Sequence, residues 1–114
     1  MNIDSIFYFC KNENEYRTAL QQGDIAPQTI VFVESTREIY LNGYGYGKTS
    51  TKGLLSDDEY NAWKDLIEDQ IETIINNADN ANQELIDQWT RDLQYLSDRL
   101  TNKITEVNNR LTDV

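Results

Sequence analysis

Apolar residues run along this chain in two rhythms, and the change of rhythm divides it. In the first half they come in short runs between turn residues. Ile3 to Cys10 is apolar and aromatic apart from Asp4 and Ser5 and predicts a strand, and from Ile6 to Cys10 both of its faces are apolar, as in a strand covered on both sides. Asn12 with Glu15 three places on is a capping-box-like start, and it predicts a short helix running to about Gln22 and stopped at Gly23. Tyr16 and Leu20, four apart, give that helix its apolar face. After a loop around Pro27, Thr29–Val33 is a β-rich run, Glu34–Arg37 has turn composition, and Glu38–Leu41 is the return strand. Asn42-Gly43 is a strong turn signal, and Tyr44–Gly47 is a third short strand or a loop.

In the second half the rhythm is helical. Ser56-Asp57-Asp58-Glu59 reads as a capping box, with Leu55 and Tyr60 placed for a hydrophobic staple. Beyond it a stripe follows: Ile67, Ile71, Ile74, Ala78, Ala81, Leu85, Trp89, Leu93, Leu96, Leu100, Ile104, Val107, Leu111 and Val114. Its steps of three and four average about 3.6 residues, the period of one helix face. A helix continuous from 57 to 114 would be about 87 Å long at 1.5 Å per residue. A small globule could not cover such a rod, so the stripe predicts packing against helices of other chains. Ile67, Ile74, Val107 and Val114 fall at heptad d positions, where β-branched residues favour trimers over parallel dimers. Asn76–Gln83 is polar and poor in helix propensity. It leaves a second arrangement open, a turn between two antiparallel helices.

The predicted fold class is therefore α+β. Residues 1–53 form a small head of strand, helix and hairpin, and residues 54–114 form a helical stalk, expected as a parallel trimeric coiled coil. All five glycines and the only proline lie in the first 53 residues. A head of that size rarely folds on a core of its own without a disulfide, a metal or a partner. With one cysteine and no histidine, a partner is the remaining support.

Charge sharpens the division. The net is −10; residues 1–55 carry six acids and five bases, and residues 56–114 carry fourteen acids and five bases. So acidic a chain argues against nucleic acid and against an anionic membrane surface as partners. Candidate chemistry is thin. Asn42–Thr49 resembles a phosphate loop, but asparagine stands where its first glycine belongs. Asp57, Asp58 and Glu59 suit capping, and Asp65, Glu68, Asp69 and Glu72 fall on a solvated helix side. Cys10 has no histidine to activate it and reads as a buried strand cysteine. No cofactor, metal or catalytic residue is expected.

The order Tyr16 to Leu20, Gly23, Pro27, Thr29–Val33, Thr36, Glu38-Ile39-Tyr40, Asn42-Gly43, Tyr46-Gly47 resembles a small module of tailed-phage virion structural proteins, notably those of crAss-like phages. There it stands at the N-terminus of fibre or appendage proteins ahead of a coiled-coil stalk. The resemblance covers residues 6–47 and includes an acid, here Glu34, before the turn. It implies a non-enzymatic head fibre or tail fibre in the virion, attached to capsid, auxiliary or tail proteins. Three copies of the head tied by the stalk would dock at high effective concentration. On this reading Ile67 to Leu111 of the stripe form the oligomer interface. Phe7, Phe9, Phe32, Tyr40, Tyr44 and Tyr46 serve head packing and docking. A cellular coiled-coil adaptor is the alternative.

Overall fold

The computed structural model describes residues 3–46 and 56–112, the side chains of the last helix as far as residue 106. The first strand starts later than the sequence predicts: Ile3–Ser5 is a 3-10 turn, closed by the Ile6 amide donating to Ile3 O at 2.9 Å, and it leads into strand β1 (Phe7–Cys10), helix α1 (Glu13–Gln21), and strands β2 (Ile30–Val33), β3 (Glu38–Leu41) and β4 (Tyr44–Tyr46). Helix α2 (Asp57–Asn77) and helix α3 (Gln83–Thr112) follow, with a 3-10 turn, Ala78–Asn80, between them.

The strands form one sheet in the order β1-β2-β3-β4. α1 connects β1 to β2, which run parallel with Phe7 opposite Ile30. The other two pairs are antiparallel, Val31 facing Tyr40 and Tyr40 facing Gly45. The two-residue turn at Asn42-Gly43 has positive φ at both positions, +53° and +85°. That is the type I′ geometry whose twist suits a hairpin. Tyr44–Tyr46 is a strand, which resolves the choice the sequence left there.

α1 begins where the spacing predicts. Asn12 Oδ1 accepts from the Glu15 amide at 2.9 Å, and the Glu15 carboxylate accepts from the Lys11 amide at 2.7 Å. It ends in a Schellman motif: the Gly23 amide donates to Leu20 O, the Asp24 amide donates to Ala19 O, and Gly23 has φ +74°. The buried face is Tyr16 with Ala19, while Leu20 is 45% exposed. Of the two neighbours of Tyr16 on a helix surface, the smaller faces the sheet, because alanine lets the helix approach closely.

Side chains alternate across the sheet with period two. Phe7, Phe9, Ile30, Phe32, Ile39, Leu41 and Tyr46 point to one side, and Tyr8, Cys10, Val31, Val33 and Tyr40 to the other. α1 covers the second side. The first is covered by α2 and α3 together, so the strand apolar on both faces is indeed buried on both.

This is where the expected stalk is corrected. The helix does not continue from 57 to 114. Asn77 Nδ2 donates back to Thr73 O at 2.7 Å, Ala81 is extended, and Asn82 Oδ1 caps the new helix by accepting from the Leu85 backbone amide at 2.9 Å. α3 then runs back along α2. Lys103 Nζ lies 3.6 Å from Glu59 Oε2 and the Arg99 guanidinium 5.8 Å from the Trp63 ring. The longest dimension is 49 Å, against the about 87 Å of a continuous rod.

Much of the described stripe is accordingly buried within the chain itself. Ile67, Ile74, Trp89, Leu93, Leu96, Leu100 and Ile104 share one core with the sheet, and Ile71 and Ala81 pack at its margin. Ala78 and Leu85 are exposed, because the break shifts the phase: half-buried Ile86, not Leu85, precedes Trp89 on the inner face. The side chains of Val107 and Leu111 lie outside the described residues, as do Val114 and Leu55 of the predicted staple. The Ser56 capping box forms as expected, with the Glu59 amide 3.1 Å from Ser56 Oγ and the Ser56 amide 3.3 Å from Glu59 Oε1.

Candidate functional site

The six aromatics predicted to pack the head and dock it separate into different roles. Phe7, Phe32 and Tyr46 are buried. The Phe32 ring stacks on Phe9 at 5.2 Å and meets Tyr60 of α2 at 5.7 Å, so these rings join sheet to hairpin. Tyr40 is half-buried on the α1 side, its ring 4.3 Å from that of Tyr16. Tyr44 alone of the six is largely exposed, at 58%.

A polar cluster on β3 and β4 escaped the sequence reading. Glu38 is only 9% exposed, and Tyr40 Oη donates to Glu38 Oε2 at 3.1 Å. A Cβ at Gly45, on the neighbouring strand, would lie 2.7 Å from Glu38 Oε2 and 2.8 Å from Tyr40 Cε1. The bare backbone of Gly45 is therefore what admits the pair. The available signal was the alternation Tyr44-Gly45-Tyr46, since a glycine within a strand marks a close approach. Burial first, then the charge and hydrogen bond of Glu38, pushes the Tyr40 phenol up to about 12.

Cys10 is buried beside Tyr16, Val31 and Val33. Burial, reinforced by the charge of Glu15, raises its thiol to about 11. At neutral pH it is a protonated core side chain, and the thiolate is the nucleophilic form. Tyr60 is 1% exposed, and its hydroxyl has no hydrogen-bond partner among the described residues. Burial is also the first cause of its strongly raised pKa.

The acids of α2 behave as surface groups. Asp65, Glu68, Asp69 and Glu72 are all exposed, and Glu68 pairs with Lys64 at 2.9 Å. Among the described residues no three His, Cys, Asp or Glu side chains come together as a metal site, and no helix is long and apolar enough to cross a membrane. The Asn42–Thr49 segment is a hairpin turn and strand as far as Tyr46; Gly47, Lys48 and Thr49 lie outside the described residues.

Hollows on the described surface include three of interest. One, about 340 Å³, lies between α1 and the sheet and is lined by Tyr16, Leu20, Ile25, Pro27, Tyr40 and neighbouring residues. A second, also about 340 Å³, runs along the hairpin past Trp63, Arg99, Asn102, Lys103 and Glu106. Arg99 there lies over both Trp63 and Tyr95, at 5.8 and 5.7 Å from their ring centroids. The third is apolar and sits at the hairpin tip, beside Ile3. In comparisons with known proteins, no family profile, curated protein or solved structure matches the chain.

Proposed function

We propose that the chain is a non-catalytic structural component of a tailed-phage virion, an appendage whose sheet-bearing head docks onto capsid or tail proteins. One observation carries this reading: several residues of the phage-module resemblance are ones on which the head fold depends. Tyr16 packs α1 on the sheet, Gly23 ends α1, Ile30–Val33 form the fully buried central strand, and Asn42-Gly43 make the I′ turn. Thr29 is 1% exposed, and its hydroxyl donates to Ser5 O at 2.9 Å, fastening the loop after Pro27 to the chain start. These members hold defined structural positions, although Leu20 is exposed and Gly47 lies outside the described residues.

The parallel coiled-coil stalk is not carried into this proposal, because the side chains that would form its seam pack against the sheet. Any multivalency therefore comes from association of whole folded units, including Tyr44 and the surfaces around it. Particles banded on a density gradient from an infected culture provide the test. The chain is expected in the particle band in fixed ratio to capsid or tail proteins. Recovery only from the soluble fraction, bound to a host protein, would overturn the virion reading and favour a cellular adaptor.

A further inference from the structure

Asn42 and Gly43 make the turn between β3 and β4, and they also form a reactive pair. Asparagine is a thermolabile residue, and Asn42 is the one asparagine in the chain that glycine follows. Both residues are exposed. Among the described residues neither the Asn42 carboxamide nor the Gly43 amide is engaged in a hydrogen bond. A Cβ at Gly43 would meet nothing within 4 Å, so the approach to this residue is open. Other asparagines lack this freedom. Asn61 and Asn102 lie inside helices, where the next N–H is already bonded, and the Ala81 amide after Asn80 donates to Ala78 O at 3.2 Å.

We infer that Asn42 is a self-modification site, converted in the folded chain to aspartyl and isoaspartyl products without an enzyme. The Gly43 nitrogen, losing its proton to hydroxide, attacks Asn42 Cγ. The new N–Cγ bond closes a five-membered succinimide, and the side-chain nitrogen takes up a proton and leaves as ammonia. Glycine suits this step, since it puts no Cβ beside the attacking nitrogen and lets the backbone adopt the ring geometry. Water then adds to one ring carbonyl. Addition at Cγ breaks the N–Cγ bond and gives aspartate. Addition at the main-chain carbonyl breaks the original peptide bond and gives isoaspartate, in which the main chain runs through Cβ and Cγ.

The two products act differently on the fold. Asp-Gly also suits a type I′ turn, so the aspartyl chain keeps its hairpin and adds one negative charge to the net of −10. Isoaspartate puts an extra methylene into the main chain, and the length of a hairpin turn fixes its register. It therefore loosens β4, an edge strand that pairs with β3 alone. The chemistry belongs to the isolated chain and is independent of any virion role.

Storage of the purified full chain in mildly alkaline and in mildly acidic buffer provides the test. Intact mass should rise by one unit as ammonia is released, faster in the alkaline buffer, and peptide mapping should place the change at Asn42. Asn42→Asp keeps the turn and should lose most of the ammonia release. The Tyr46 amide should exchange hydrogen faster in the isoaspartyl fraction than in the aspartyl fraction. An Asn42 carboxamide intact after weeks in the alkaline buffer would overturn the inference, as would ammonia release unchanged in Asn42→Asp. Equal Tyr46 exchange in the two fractions would overturn the loosening of β4.

Discussion

Leu93→Ala probes whether one core joins the hairpin to the sheet within a single chain. Leu93 is 0% exposed and lies in the cluster that contains Phe32, Ile39 and Ile67. The substitution removes three carbons, worth about 2.4 kcal/mol at ~0.8 kcal/mol each. The cavity left behind brings fully buried leucines to about 3–5 kcal/mol. Leu93 is held between two helices and a sheet, which cannot all close on the gap, so the expected loss is about 3–4 kcal/mol. For a domain of this size that lowers Tm by about 12–16 °C. The assay is urea unfolding followed by far-ultraviolet circular dichroism and by tryptophan fluorescence, at about 1 μM and about 10 μM chain. Both probes should report one transition, with an unchanged m-value and a midpoint independent of concentration. A loss under about 1 kcal/mol would mean that Leu93 is not in a packed core. A midpoint that climbs with concentration would mean that its core is built between chains, as in the coiled coil the sequence suggests.

Gly45→Ala should cost about 1–3 kcal/mol by overpacking, and adding Tyr40→Ala should recover part of that; equal stability of Gly45→Ala and the parent in urea would refute the close approach. Tyr60→Phe removes a buried hydroxyl without a partner and should leave stability unchanged or raise it by about 1 kcal/mol, whereas a clear loss in thermal unfolding would reveal a hydrogen bond to that oxygen. Stability should fall as pH rises from about 9 to about 12. The folded chain holds the Cys10 proton to about 11 and the Tyr40 proton to about 12, against ordinary values of 9.0 and 10.0, so the unfolded chain releases them first. The contribution is complete below the ordinary values and lost through the raised ones. Tyr40→Phe should flatten the decline between pH 10 and 12, and an unaltered slope of urea midpoint against pH would refute the assignment.

Local chemistry accounts for the parts that were legible without coordinates. The strand from Phe7 to Cys10, the return strand at Glu38–Leu41, the stop at Gly23 and the Ser56 box each depend on residues within a few places of one another. The same holds for the Asn42-Gly43 turn, where positive φ is cheapest for these two residue types. The parallel pairing of β1 with β2 was not legible, because both strands are apolar on both faces and either neighbour order satisfies them. Nor was the Glu38, Tyr40 and Gly45 cluster, which exists only once β3 and β4 stand in register. Arg37 at φ +52° lies in a turn the composition marked, but its left-handed backbone is imposed by closing β2 onto β3.

The sequence by itself determined that a β-rich head precedes about 60 acidic residues without glycine or proline, mostly helical and with one apolar face. It could not determine what that face meets. A stripe at 3.6-residue spacing is equally satisfied by other helices or by a sheet, since burial of apolar area has no direction. The tertiary structure decided the matter through the sheet. Phe7, Ile30, Phe32 and Ile39 present an apolar surface that α1 cannot reach from the opposite side. Folding α3 back over it covers sheet and stripe together. The cost is one helix break at Ala78–Asn82, where Asn82 Oδ1 accepts from the Leu85 amide that the new helix start leaves free.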